Sequence, residues 1–350
     1  MKPTNWFVLI SIVFLSACDS GSDSSNNPSP DTFYSETSIF NGIVSTAALD
    51  ENSDDIYVGG RFTTYNGTGS NHIIRLNSDG SIDTGFNIGS GFNERVYSIA
   101  STADGSGDIY VGGSFNTYNG TSSDRIIRLN SDGSVDTGFN VGTGFNRNVH
   151  SIVLATDGSG DIYVGGSFYT YNSSSSDRII RLNSDGSVDT GFNVGSGFDA
   201  SVLSIALATD GSGDIFAGGE FSSYRGSAKN KIARIKSNGD NDNTVFNVGS
   251  GFNGSVVTSI APATDGSGDI FAGGFFTSYR GNARNYITRI KSDGSNDPNF
   301  GIGAGFNRYV DIVVAATDGS GDIFVGGSFD THGATNVGYF ARLDSVGQLR

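Results

Sequence analysis

Six arginines recur in one local setting: Arg75, Arg128, Arg181, Arg234, Arg289 and Arg342. An aspartate follows eight residues later in five cases, at Asp83, Asp136, Asp189, Asp242 and Asp297, and Asp31 stands in for the sixth. A guanidinium so placed can grip an anionic ligand or pair with the recurring carboxylate as scaffold. Sixfold repetition favours the scaffold, because an asymmetric ligand would use only some copies. With a two-residue turn at Asp79-Gly80, Arg75 falls opposite Thr84 and Asp83 lies on the other face. The expected salt bridge then links neighbouring repeats.

A second acidic motif, Asp-Gly-Ser-Gly-Asp, begins at Asp104, Asp157, Asp210, Asp265 and Asp318, and Glu51-Asn52-Ser53-Asp54-Asp55 is its sixth copy. Oxygen donors at its first, third and fifth positions match the start of a calcium loop, but the later bidentate carboxylate is missing. A hydrogen-bonded turn is the favoured reading, and calcium is the one cofactor left to consider. The three histidines (His72, His150, His332) fall at unrelated positions, and the only glutamates are Glu36, Glu51, Glu94 and Glu220. These residues make no metal triad and no His–Asp dyad. With no catalytic constellation in view, the chain is expected not to be an enzyme.

Tyr65, Tyr118, Tyr171, Tyr224 and Tyr279 also recur, with His332 in the sixth place. They could stack on sugars, but packing with a locally satisfied hydroxyl is favoured. The candidate ligand site lies where repeats differ. Arg225, Lys229, Lys231, Arg280 and Arg284 make a basic rim in two adjacent repeats, where residues 214–291 carry nine Lys/Arg against six Asp/Glu. The chain as a whole has a net charge of −15. An acidic glycan or an acidic partner loop would fit that rim, and nucleic acid would not suit so acidic a body.

The elements that must position these residues follow from the period. Asp-Ile-Tyr/Phe-(Val/Ala)-Gly-Gly begins at Asp55, Asp108, Asp161, Asp214, Asp269 and Asp322, spaced 53, 53, 53, 55 and 53 residues apart. In residues 149–198, Val149 to Ala155 and Asp161 to Val164 read as strands, Asn172 to Asp177 as a polar loop, Arg178 to Leu182 as the third strand and Ser187 to Phe192 as the fourth. Apolar residues on both faces, as at Ile179-Ile180, suit sheets packed between neighbours. Four strands in about 53 residues lie near the kelch period. The expected fold is all-β: a six-bladed β-propeller of four-stranded blades. Its ring is closed by the N-terminal strand at Asp31–Tyr34 joining the C-terminal blade, so removing residues 31–40 should destabilise the whole. A right-handed β-helix is the rival, but it would need capped ends, whereas the two ends here are complementary halves of one repeat.

Val111 to Gly120 (Val-Gly-Gly-Ser-Phe-x-x-Tyr-Asn-Gly) and Ile126 to Phe139 (Ile-Ile-Arg-Leu-Asn-Ser-Asp-Gly-Ser-x-Asp-x-x-Phe) resemble the bacterial delta-60 repeat family over essentially all of residues 31–350. That resemblance implies β-propeller repeats in an envelope or secreted protein. It implies no catalytic residues. The turn before the second strand is longer here than the family's. Ser134 to Phe139 is also similar to the Ser-x-Asp-x-Gly box of sialidase propellers, although its aromatic comes early and that box is a structural turn.

Residues 1–17 read as a lipoprotein signal: Lys2, an apolar run from Trp6 to Phe14, and Leu15-Ser16-Ala17 before Cys18, the only cysteine. The run is too short to span a bilayer, so an acylated Cys18 would anchor the chain to a membrane. Residues 18–30, rich in Ser, Asn and Asp, form a flexible tether. Residues 31–350 form the propeller. A bacterial envelope location follows, with the outer membrane or cell surface favoured and the inner membrane kept open by Asp19. The expected role is a non-enzymatic binding module for a protein or glycan. The alternatives are an envelope enzyme acting on glycans through its variable loops, or a structural surface protein stiffened by calcium.

Overall fold

The structure, a computed structural model, describes residues 39–50 and 52–350. The signal, Cys18, the tether, Asp31 and the closing segment Asp31–Tyr34 lie outside the described residues, as does Glu51. Two compact units divide the chain. Met1–Gly144 holds the first two repeats and Phe145–Arg350 the other four.

Every described element is a strand, turn or bridge. In the third repeat, Val149–Leu154 pairs antiparallel with Ile162–Gly166, which pairs antiparallel with Ile179–Leu182. The same three-stranded order recurs in each repeat. The middle strand is buried along its whole length, as in Ile162–Gly166. This is why it carries apolar residues without alternation.

The core sits between consecutive sheets. Tyr163, Ile179 and Phe192 of the third repeat pack with Val202, Ile205 and Ala217 of the fourth. Serines stitch the first strands together: Ile205 N–H donates to Ser151 Oγ, Ile260 to Ser204 Oγ and Val313 to Ser259 Oγ, each at 3.0 Å. The Gly-Gly pair serves both contacts. A Cβ on Gly165 would stand 2.7 Å from Val202 of the next sheet, and one on Gly166 would stand 2.2 Å from the Asn148 carbonyl, across the bulge in the first strand.

Two expectations change. The polar loop at Asn172–Asp177 contains half of a tight hairpin, Thr170–Tyr171 with Ser174–Ser175. The fourth strand shrinks to a single bridge, Leu182 with Val188. The turn before that bridge is also one residue longer than the Asp-Gly signal suggested. Asn183 N–H donates to Ser187 O at 2.8 Å, and Gly186 takes φ +87°. One residue of slip reverses which face a side chain occupies.

Candidate functional site

That slip places each recurring aspartate on the same side as its arginine. Asp189 N–H donates to the Arg181 carbonyl at 3.0 Å, and Asp189 Oδ2 lies 3.2 Å from Arg181 Nε. The scaffold bridge therefore forms within each of the first five repeats and does not link neighbours. Arg75 with Asp83, Arg128 with Asp136 (3.2 Å), Arg234 with Asp242 (3.4 Å) and Arg289 with Asp297 (3.4 Å) repeat the arrangement. In the sixth repeat the matching place is taken by Arg350, whose N–H donates to the Arg342 carbonyl.

The two acidic motifs merge on these arginines. Arg181 also pairs with Asp157 and with Asp161 at 2.9 Å, the first and last residues of Asp-Gly-Ser-Gly-Asp. Arg234 holds Asp210 and Asp214, Arg289 holds Asp265 and Asp269, and Arg342 holds Asp318 and Asp322. The middle serine completes the turn: Ser159 N–H and Oγ–H both donate to Asp157 Oδ1. That hydroxyl, helped by Arg181 and opposed by burial, holds Asp157 down to about 2. Asp104 and Asp318 are held at about 2 in the same way by Ser106 and Ser320. The oxygens that suggested calcium are thus engaged by a serine and a guanidinium. Neighbouring repeats do meet at this edge, through a carbonyl: Arg75 Nη1 donates to Ser131 O at 2.8 Å.

The recurring tyrosines are buried, and their hydroxyls donate to turn carbonyls. Tyr171 bonds to Gly186 and Tyr224 to Gly239, both at 2.6 Å. The five residues of the basic rim do not form one surface. Arg225 donates to Asp240 at 2.6 Å and Arg280 to the Asn247 carbonyl at 2.7 Å, each fastening a hairpin tip to its surroundings. Lys231 Nζ donates to the Glu220 carbonyl at 2.7 Å. Lys229 is only 2% exposed, and burial pushes its pKa down against the pull of Asp242. Arg284 reaches the Ala283 carbonyl at 2.8 Å, and its Nε is buried without a partner.

A different surface emerges when the repeats are compared register by register. The second and third repeats are identical over 104–115 against 157–168 and over 124–142 against 177–195. They differ in the turn entering the first strand, along that strand, at the hairpin and at its approach. At the entry edge, Glu94 becomes Arg147, Tyr97 becomes His150 and Asn116 becomes Tyr169.

Two further variable registers lie at this edge of each sheet. The residue after Gly-Gly is Arg61, Ser114, Ser167, Glu220, Phe275 or Ser328. The residue before the third strand is His72, Arg125, Arg178, Lys231, Tyr286 or Tyr339. The first five of these adopt φ between +68° and +71°. Backbone bonds join the registers: Ser167 N–H donates to Asn148 O at 2.9 Å, and Gly166 N–H to Arg178 O at 3.0 Å.

In the second unit this edge carries aromatic rings. Phe275, 45% exposed, stands 5.1 Å edge-on from Tyr309 and 6.2 Å from Tyr286. Tyr169 and Tyr339 are exposed as well. His150 Nε2 contacts Ser167 Oγ at 2.8 Å. Burial pushes Asp311 up to about 7, against a weak hydrogen bond from Ser328. Differences between repeats, sought in the sequence, pointed to the basic loops after the tyrosines, and so this edge was missed.

Comparison with known proteins agrees with the architecture. No curated protein matches the chain. Among solved structures, an ancestral GH74 enzyme is similar with a TM-score of 0.52 at 15% identity, over 87% of this chain and 37% of that one. The chain thus spans little more than a third of that enzyme, and the likeness is one of fold. A family model described as "Domain of unknown function (DUF5122) beta-propeller" matches residues 53–86, 104–139, 157–192, 210–244 and 266–300, together just over half of the sequence. Its five matches coincide with the sheets and turns built around the arginine clusters, and the chain belongs to this β-propeller family.

Proposed function

We propose that the protein is a lipid-anchored propeller of the bacterial envelope whose variable edge binds glycans. One observation carries the reading: near-identical repeats diverge at the edge where Phe275, Tyr169 and Tyr339 are exposed and Tyr309 is half-buried, while the opposite edge repeats its arginine clusters. Aromatic faces beside polar groups suit sugar rings, which offer C–H on their faces and hydroxyls on their rims. On this reading Cys18 carries the anchor, residues 18–30 are the tether, and Asp31–Tyr34 closes six blades into a ring. Turns with occupied carboxylates argue against a calcium-stiffened structural role. An enzymatic role in the same place finds support in Asp311, a carboxyl that stays half-protonated near neutral pH, as a general acid must.

One experiment separates these readings. The mature protein and a Phe275→Ser/Tyr309→Ser variant are incubated with an envelope glycan extract, and both retained and degraded material are measured. Retention lost in the variant supports the binding module. Degradation abolished by Asp311→Asn replaces it with the enzyme. Capture of a protein, with no glycan held by either form, removes the glycan reading.

A further inference from the structure

Arginine in this protein is almost always satisfied. Each of the six recurring arginines holds at least two carboxylates, and Arg225 and Arg280 are tied to an aspartate or to carbonyls. Two others differ. Arg147 and Arg308 occupy the same register, after Phe145-Asn146 and Phe306-Asn307, and both are exposed. Among the described residues Arg147 has a stacking contact only, its guanidinium carbon 4.8 Å from the Tyr169 ring centroid. Arg308 has neither an acidic nor a carbonyl partner among the described residues. Both lie on the variable edge of the second unit.

Arg147 has an aromatic partner, and Arg308 is next in sequence to one. Arg147 lies over Tyr169, whose ring is braced by Arg178 at 4.1 Å, and Arg178 is itself fixed by donating to Phe198 O at 2.8 Å. Arg308 precedes Tyr309, which stands edge-on to the exposed Phe275. Stacking on a ring holds a guanidinium in place without using its N–H donors, so its planar fork stays open to a carboxylate. Open forks on an edge that also exposes the Phe275 ring match a sugar that carries its own carboxylate. Resting on the glycan reading above, we propose that the variable edge selects uronate-containing polysaccharide, with Arg147 and Arg308 taking sugar carboxylates.

The chain's net charge of −15 shapes how such binding would behave. General electrostatics repel a polyanion from this body, so attachment depends on a few local pairs.

The test uses the full mature chain with two probes, polygalacturonate and the same polymer after carboxyl reduction, in affinity electrophoresis. Wild type should be retarded by the uronate polymer and not by the reduced one, and Arg147→Ser/Arg308→Ser should weaken retardation at least about tenfold. Lys236→Ser/Lys291→Ser removes the same charge from turns on the opposite edge and should leave retardation unchanged. Equal retardation by both polymers overturns the proposal, as does an arginine variant within about twofold of wild type. Retardation by the reduced polymer that is lost in Phe275→Ser keeps the glycan reading and discards this one. Retardation by neither polymer overturns the uronate assignment, and the extract experiment then decides the broader reading.

Discussion

Arg181 shows how one side chain organises a repeat. Its guanidinium, 8% exposed, gathers Asp157, Asp161 and Asp189, and it also donates to Ser159 Oγ and to the Tyr163 hydroxyl. Burial alone would weaken its hold on a proton, and the bonds and charges of Asp157, Tyr163 and Asp161 together more than reverse that. Arg181→Ala would strand three carboxylates against one another, two of them well buried or half-buried. Breaking a buried pair by removing one partner typically costs about 3–5 kcal/mol, so chemical denaturation of this variant should show a loss of that order.

The same clusters set the acid limit. Asp104, Asp157 and Asp318 have folded-state values near 2, below the ordinary aspartate value of about 3.9. A depressed carboxyl contributes stability above its unfolded value and loses it as pH falls through the folded one. Stability should therefore decline between about pH 4 and pH 2, and Asp157→Asn should flatten that decline. A wild-type midpoint that stays constant through this window would remove the clusters from the account.

At the scale of elements, the fourth and fifth repeats hold an unusual pair of substitutions. Where the third repeat has Ser176 and Val188, the fourth has Lys229 and Asn241 and the fifth has Arg284 and Asn296. The basic residue points inward, as Arg284 does when Nη2 donates to the Asp297 carbonyl at 3.4 Å. The asparagine stands at the single bridge of the fourth strand and is poorly satisfied. Asn241 Nδ2 and Oδ1 are both buried without a partner, as is Asn296 Oδ1. Restoring the third repeat's pair with Lys229→Ser/Asn241→Val removes two orphaned polar atoms and a buried charge. Each unsatisfied group costs about 1–3 kcal/mol, so the double variant should melt above wild type, and calorimetry showing a lower Tm would contradict this packing.

These elements also show what the sequence could and could not convey. Three strands per repeat were legible because burial on both faces leaves continuous apolar runs such as Ile162-Tyr163-Val164. The Arg–Asp pairing was legible as a repeat, but its geometry turned on a single residue of turn length at Ser184-Asp185-Gly186, which Asp-Gly alone does not settle. Lys229 was read as rim because charge in a polar loop looks exposed. Only the backbone bond from Lys229 N–H to Ser222 O, closing the hairpin, shows that its side chain turns inward.

The whole molecule poses the question of closure, and the sixth repeat supplies the argument. In repeats one to five a phenylalanine after the fourth-strand bridge packs edge-on against the aromatic of the middle strand: Phe86 on Tyr57, Phe139 on Tyr110, Phe192 on Tyr163, Phe246 on Phe216 and Phe300 on Phe271, at 5.1 to 5.5 Å. In the sixth repeat, among the described residues, Phe324 has a single aromatic neighbour, Phe340, stacked at 6.1 Å, with the Arg342 guanidinium 5.1 Å from its ring centroid. Its arginine is also less covered. The Arg342 side chain is 35% exposed, against 9% for Arg181, and no third carboxylate among the described residues reaches it. On the proposed closure, Asp31-Thr32-Phe33-Tyr34 would bring an aspartate and aromatic residues to this repeat. Phe40 already belongs to the first repeat, 4.6 Å from Phe62 and 4.8 Å from Tyr65. A deletion of residues 31–38 therefore tests closure without disturbing that sheet. Burying one large aromatic contributes about 1.5–3 kcal/mol, so the deletion should lower the Tm of the entire chain in one cooperative transition. Phe33→Ser with Tyr34→Ser should reproduce most of that loss, and adding the 31–38 peptide in excess should restore it to the deleted chain. A deleted chain that melts at the wild-type temperature would leave the six repeats as an unclosed array.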